Sequence, residues 1–70
     1  MNDTRLYLIR LEGLVSDETI NANSPIEALV MQMETFTRCA VCTDQSGLIG
    51  LLRHLHARGL IILSVTVDLE

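Results

Sequence analysis

The sequence has no lysine and no tryptophan, and among its 70 residues there are one tyrosine, one phenylalanine, one proline and two cysteines. Each shortage excludes something. All the positive charge sits on Arg5, Arg10, Arg38, Arg53 and Arg58, which form no run, and the net charge is −4. A nucleic-acid binder needs a concentrated basic footprint with aromatic rings to stack on bases, and neither is here. With no lysine to meet a phosphate, and with Gly47 and Gly50 inside a helical stretch, there is no phosphate-cradling loop. No apolar run approaches the ~18 residues that span a bilayer. The opening MNDTRLYLIRLEG lacks a basic segment followed by an uninterrupted apolar one, so it does not read as a signal peptide. The expectation is a soluble cytoplasmic protein with neither nucleic acid nor membrane as partner.

What the chain has in excess is apolar side chain. The hydrophobic fraction is 49%, whereas a chain this short buries only about 60% of the surface it exposes when unfolded. Residues 1–70 are read as one α+β domain. One helix on one sheet cannot easily hide that much oil, and small domains commonly recruit a disulfide, a metal or a second subunit. Self-association is the simplest resolution.

The clearest stretch is TDQSGLIGLLRHLHARGLIILSVTVDL, from Thr43 to Leu69. Leu48, Leu51, Leu52 and Leu55 recur at helical spacing and form one stripe. Thr43 or Asp44 can cap the first turn, Arg58 suits the negative pole, and Gly59 supplies a left-handed stop. A main helix is therefore predicted over about 44–58. Beyond it, Ile61, Leu63, Val65, Val67 and Leu69 alternate with polar residues, which predicts a strand over about 60–69 whose Ile61–Leu69 face covers the helix. Leu60 and Ile62 carry apolarity onto the second face.

Residues 4–12 read as a strand, apolar on both sides, with Tyr7, Ile9 and Leu11 on one face and Leu6, Leu8 and Arg10 on the other. Residues 14–23 read as a connection that has room for a short helical turn, and residues 35–42 read as a further strand. Residues 26–32 admit two readings. Ser24-Pro25-Ile26-Glu27 resembles a helix start, with Ile26, Leu29, Val30 and Met33 at helical spacing, but the same residues can form a strand of a hairpin. The architecture expected is a small two-layer sandwich: an antiparallel sheet of three or four strands (4–12, 26–32, 35–42, 60–69) under one helix. In its β-connection-β-β-α-β form it resembles a reduced ferredoxin-like arrangement.

Candidate chemistry is sparse. Cys39-Ala-Val-Cys42 has the CxxC spacing of zinc and redox sites. Residues three apart in a strand, however, point to opposite faces about 10 Å apart, so core packing is the better account of the pair. His54 and His56 are two apart on a helix and cannot chelate one ion together. A Cys42–His56 contact across the fold is the remaining metal candidate, alongside Cys39. No carboxylate pair is spaced for acid–base work, Asp44 serves better as a cap, and nothing joins a nucleophile to a base, so an enzyme is the least supported reading. Gly47 and Gly50 share the helix face away from the leucines, either exposed or approached by a second backbone.

The residues Asp44-Gln45-x-x-Leu48-x-Gly50-Leu51-Leu52, Gly59-Leu60 and Ser64-Val65, with Glu12-Gly13 closing the first strand, resemble a group of small bacterial proteins of no established function. The likeness covers Asp44 to Val65; Ile49 stands where the group has His, and Cys39-Ala40 where a Ser-Gly-like pair is usual. It implies a hairpin in the middle of the chain, which favours a strand at 26–32, and it carries no function to transfer; from the residues themselves no cofactor is expected. The functional expectation is a non-catalytic interaction module acting as a homo-oligomer, with Leu6, Leu8, Gly47, Gly50, Leu60 and Ile62 as interface candidates. The alternative is a ligand- or metal-responsive regulatory subunit using Cys39, Cys42 and His56.

Overall fold

A computed structural model describes residues 3–68. The elements in chain order are β1 (Arg5–Glu12), α1 (Asp17–Asn21), β2 (Leu29–Gln32), β3 (Phe36–Thr43), α2 (Gln45–Ala57) and β4 (Ile62–Asp68). The strands lie in the order β2-β3-β1-β4, and every neighbouring pair is antiparallel. Two βαβ units are thus interleaved: β3 sits between β1 and β2, and β1 between β3 and β4. That is the ferredoxin-like arrangement, with α1 cut to five residues.

The main helix forms for the reasons its sequence suggests. Asp44 is the N-cap, its carboxylate accepting from the Gly47 N–H at 2.8 Å. At the far end Gly59 takes φ +80°, its N–H donates to the His56 carbonyl, and the Leu60 N–H donates to the Leu55 carbonyl. This pair of bonds is the Schellman closure, and it turns the chain straight into β4. Leu48, Leu51 and Leu55 are buried against Ile9, Leu11, Cys39 and Val41 of the two central strands.

The connection from β1 to β2 is tied down by three polar side chains. Ser16 caps α1 by accepting from the Thr19 N–H. Thr37, fully buried, accepts from the Val15 N–H at 2.7 Å and donates to the Gly13 carbonyl at 2.8 Å. Asn21 accepts from the Ala28 N–H at 2.8 Å and donates to the Ala28 carbonyl at 3.0 Å, as a neighbouring strand would. That clamp decides the open question of residues 26–32. Ser24 bonds to Ile26 in a local turn instead of capping a helix, and Leu29–Gln32 is strand β2. The helical alternative for this stretch is excluded.

One expectation about β4 is corrected. The strand was expected to lay its Ile61–Leu69 face on the helix, yet Ile61 is 55% and Leu63 49% exposed, whereas Leu60 and Ile62 pack against the core. The cause is a bulge. Arg10 pairs with Ser64 but Leu11 pairs with Ile62, so Leu63 is the extra residue and the alternation breaks there. Val65 and Val67 stand opposite Ile9 and Tyr7 on the helix side, but at an edge that the helix does not reach, and they stay more than a third exposed. Leu69 lies outside the described residues.

Candidate functional site

Both helices lie on one side of the sheet, and the molecule is only 16 Å thick along its shortest axis. That suits one sheet plus one layer of helix, since packed layers sit about 10 Å apart. The other side of the sheet is bare. Its composition follows from strand registers. One row crosses all four strands at mid-height: Leu29, Ala40, Leu8, Thr66. The next row along is Met31, Arg38, Arg10, Ser64, and the row on the other side is Cys42, Leu6, Asp68.

The β2 half of this face is apolar and hollow. Leu29 is 71% exposed, the highest of any large apolar side chain described, and Met31 is also exposed. Leu8, Leu29, Met31, Arg38 and Ala40 line a shallow depression of about 170 Å³. A wider hollow of about 430 Å³ lies at the start of β1, but it is polar and open and is built around the Asp44 cap.

The charge on the bare face is uneven. Arg10 and Arg38 are direct cross-strand partners, an arrangement that costs stability because like charges face each other. Among the described residues neither guanidinium pairs with a carboxylate. Arg10 lies over the Phe36 ring at 4.3 Å, and Arg38 donates to the Met31 sulfur at 3.6 Å, a weak contact. Asp68 stands at the opposite corner, beside Leu6.

The residues singled out in the sequence disperse. Leu6 and Leu8 are on the bare face, Leu6 exposed and Leu8 half-buried. Gly47 and Gly50 turn toward the chain's own connection: a Cβ on Gly47 would meet Thr43 Oγ1 and, at 2.7 Å, Ile26 Cδ1, and one on Gly50 would lie 3.9 Å from Pro25. What approaches those glycines is thus side chains of the same protomer, not a second backbone. Leu60 and Ile62 pack on the core. Leu29, Met31, Arg38 and Ala40 were missing from the candidates; the alternation Leu29-x-Met31 signals them once the stretch is taken as strand.

The cysteines part company as their spacing requires. Cys39 is buried on the helix side, where burial first and the Asp17 carboxylate second raise its thiol to about 11. Cys42 is exposed on the bare face. His56 is exposed on the flank of α2, and His54 bonds the Ile20 carbonyl at 2.8 Å, closing α1 against α2. Among the described residues no three His, Cys, Asp or Glu side chains gather to hold a metal, and no helix is long and apolar enough to cross a membrane. No protein-family model matches the chain, and neither the curated proteins nor the solved structures yield a match.

Proposed function

We propose that this chain is a non-catalytic interaction module whose working form is an assembly of its own copies, most simply a homodimer joined through the bare face of the sheet. The observation that carries the reading is the row Leu29, Ala40, Leu8, which leaves apolar side chains uncovered across three adjacent strands. A sheet needs both of its faces accounted for, and an uncovered apolar face of this extent is the usual mark of a contact surface. The protein is taken to be cytoplasmic, and bacterial on the resemblance over Asp44 to Val65.

The test is sedimentation velocity across a micromolar concentration series. The wild-type chain is expected to sediment as a dimer or larger closed assembly. Leu8→Lys, which places a charge at the middle of the face, is expected to sediment as a folded monomer. A wild-type chain that stays monomeric throughout would refute the reading.

A further inference from the structure

Resting on that reading, we infer that the second copy docks with its strands antiparallel to those beneath it, about a two-fold axis over the Leu29–Ala40–Leu8–Thr66 row, so that Asp68 of each copy meets Arg10 of the other.

Two aligned sheets that pack face to face by a two-fold have two choices of axis in the plane between them. If the axis runs along the strands, each row falls on its own copy. The Met31–Arg38–Arg10–Ser64 row would then bring four guanidiniums together in a closed apolar contact. Arg10 and Arg38 face each other across β1 and β3, and among the described residues neither is ion-paired, Glu12 two residues along β1 on the same face being the nearest acid in register. Like charges juxtaposed across an interface cost several kcal/mol.

If instead the axis runs across the strands over the middle row, the rows change places. Leu29, Ala40, Leu8 and Thr66 fall on their own copies, so the apolar centre is self-complementary. The arginine row falls on the Cys42–Leu6–Asp68 row. Asp68 of the second copy then lies over Ser64, and Ser64 is the cross-strand neighbour of Arg10. With sheets about 10 Å apart and strands about 4.8 Å apart, an arginine side chain reaches that carboxylate. Two such pairs form per dimer, at the rim of the contact, where charges govern orientation more than affinity.

The size of the face agrees with a second copy as occupant. Strands of 8, 4, 8 and 7 residues, about 4.8 Å apart and rising about 3.3 Å per residue, present roughly 430 Å² in projection. The accessible surface of the side chains exceeds the projection and comes close to the ~600 Å² per partner of the smaller specific interfaces.

The experiment is sedimentation equilibrium of the full chain carrying Arg10→Asp, Asp68→Arg, both changes together, or Leu8→Lys, with circular dichroism to confirm folding. Each single reversal is expected to raise the dimer Kd roughly tenfold. The double reversal is expected to return it near the wild-type value, and wild-type association is expected to weaken with added salt. If a reversal variant fails to fold, Arg10→Gln and Asp68→Asn carry the same comparison with a smaller effect. Reversals without effect while Leu8→Lys gives a monomer would overturn this axis and leave the bare face as the contact. Leu8→Lys that still dimerises would overturn the face itself.

Discussion

Gly47 and Gly50 look equivalent along α2, three residues apart on one side of the helix, yet only the second should gain stability when replaced with alanine. A glycine inside a helix costs about 1 kcal/mol relative to alanine, so both changes begin with a similar gain. At Gly50 little opposes it: the added methyl would rest 3.9 Å from Pro25 Cγ, an ordinary contact. Gly50→Ala is therefore expected to stabilise by about 0.5–1 kcal/mol. At Gly47 the methyl would collide with Thr43 Oγ1 and lie 2.7 Å from Ile26 Cδ1. The end of Ile26 can swing aside, but Thr43 is a short β-branched side chain at the close of β3, and moving it disturbs the turn into the helix. Overpacking of this kind costs about 1–3 kcal/mol, which cancels or exceeds the helical gain.

The two variants should thus differ by about 1–3 kcal/mol, with Gly47→Ala the less stable. In a domain of this size that is a gap on the order of 10 °C in melting temperature. Far-UV circular dichroism in urea and on heating, at one protomer concentration for all three proteins, reads it directly. Gly47→Ala as stable as Gly50→Ala would mean that Thr43 yields without disturbing the turn into the helix, and the packing account of these glycines would be wrong.

Other perturbations test the remaining ties. Thr37→Val keeps the shape of a fully buried side chain but leaves the Val15 N–H and Gly13 carbonyl without their partner. It should cost about 1–3 kcal/mol and should show as lost hydrogen-exchange protection at the Val15 amide. Asn21→Asp keeps the acceptor for the Ala28 N–H but turns both donated bonds, to the Asp17 carboxylate and the Ala28 carbonyl, into repulsions. A loss of about 2 kcal/mol in urea unfolding is expected at neutral pH, and less in mild acid where the new carboxyl is protonated. For the thiols, a maleimide at mildly alkaline pH should label the folded chain once, at Cys42, and the urea-unfolded chain twice. The Cys39 thiol is raised in the fold from 9.0 to about 11, so the unfolded chain loses that proton first. Its contribution to stability is complete below pH 9 and falls as pH rises toward 11, which alkaline titration of the urea midpoint would detect.

How much of this was legible in the residues depended on whether local signals agreed. The helix was, because cap, leucine stripe and glycine stop all point to the same thirteen residues. The two central strands were, because a run apolar on both faces between charged residues marks the first and β-branched, aromatic and cysteine composition marks the second. Residues 26–32 were ambiguous because proline and serine mimic a helix start, and what overrides them is the Asn21 side chain seven residues upstream of Ala28. The bulge in β4 was invisible for a different reason. Ile61-x-Leu63-x-Val65-x-Val67 is an unbroken alternation, and only pairing with β1 reveals the extra residue. Likewise the bare face could not be assembled from any one segment, since its rows are drawn from four strands whose register no local pattern states.

The shortness of α1 links several features that look unrelated in the sequence. A full-length helix there would cover the β2 half of the sheet on the same side as α2. With five residues, α1 contributes one buried side chain, Ile20, and an extended connection fills the remaining space. That connection has no helix width of its own and lies close to α2, with Ile26 reaching Gly47 and Pro25 reaching Gly50, while Thr43 at the end of β3 closes the rest of the space at Gly47. The His54 bond to the Ile20 carbonyl fixes the same seam from the other end. None of this compensates the opposite side of the sheet. The helix side closes with the chain's own residues over the central strands, whereas the face of Leu8, Leu29, Met31 and Ala40 has no segment left to cover it among the described residues. Of the exposed large apolar side chains, Leu6, Leu29 and Met31 lie on that face, Ile61, Leu63, Val65 and Val67 lie in or just before β4, and Leu14 and Ile49 stand apart from both. Of the two, only the bare face also carries opposed arginines that form no ion pair among the described residues, and in the proposed dimer Asp68 of the second copy would supply a carboxylate to Arg10.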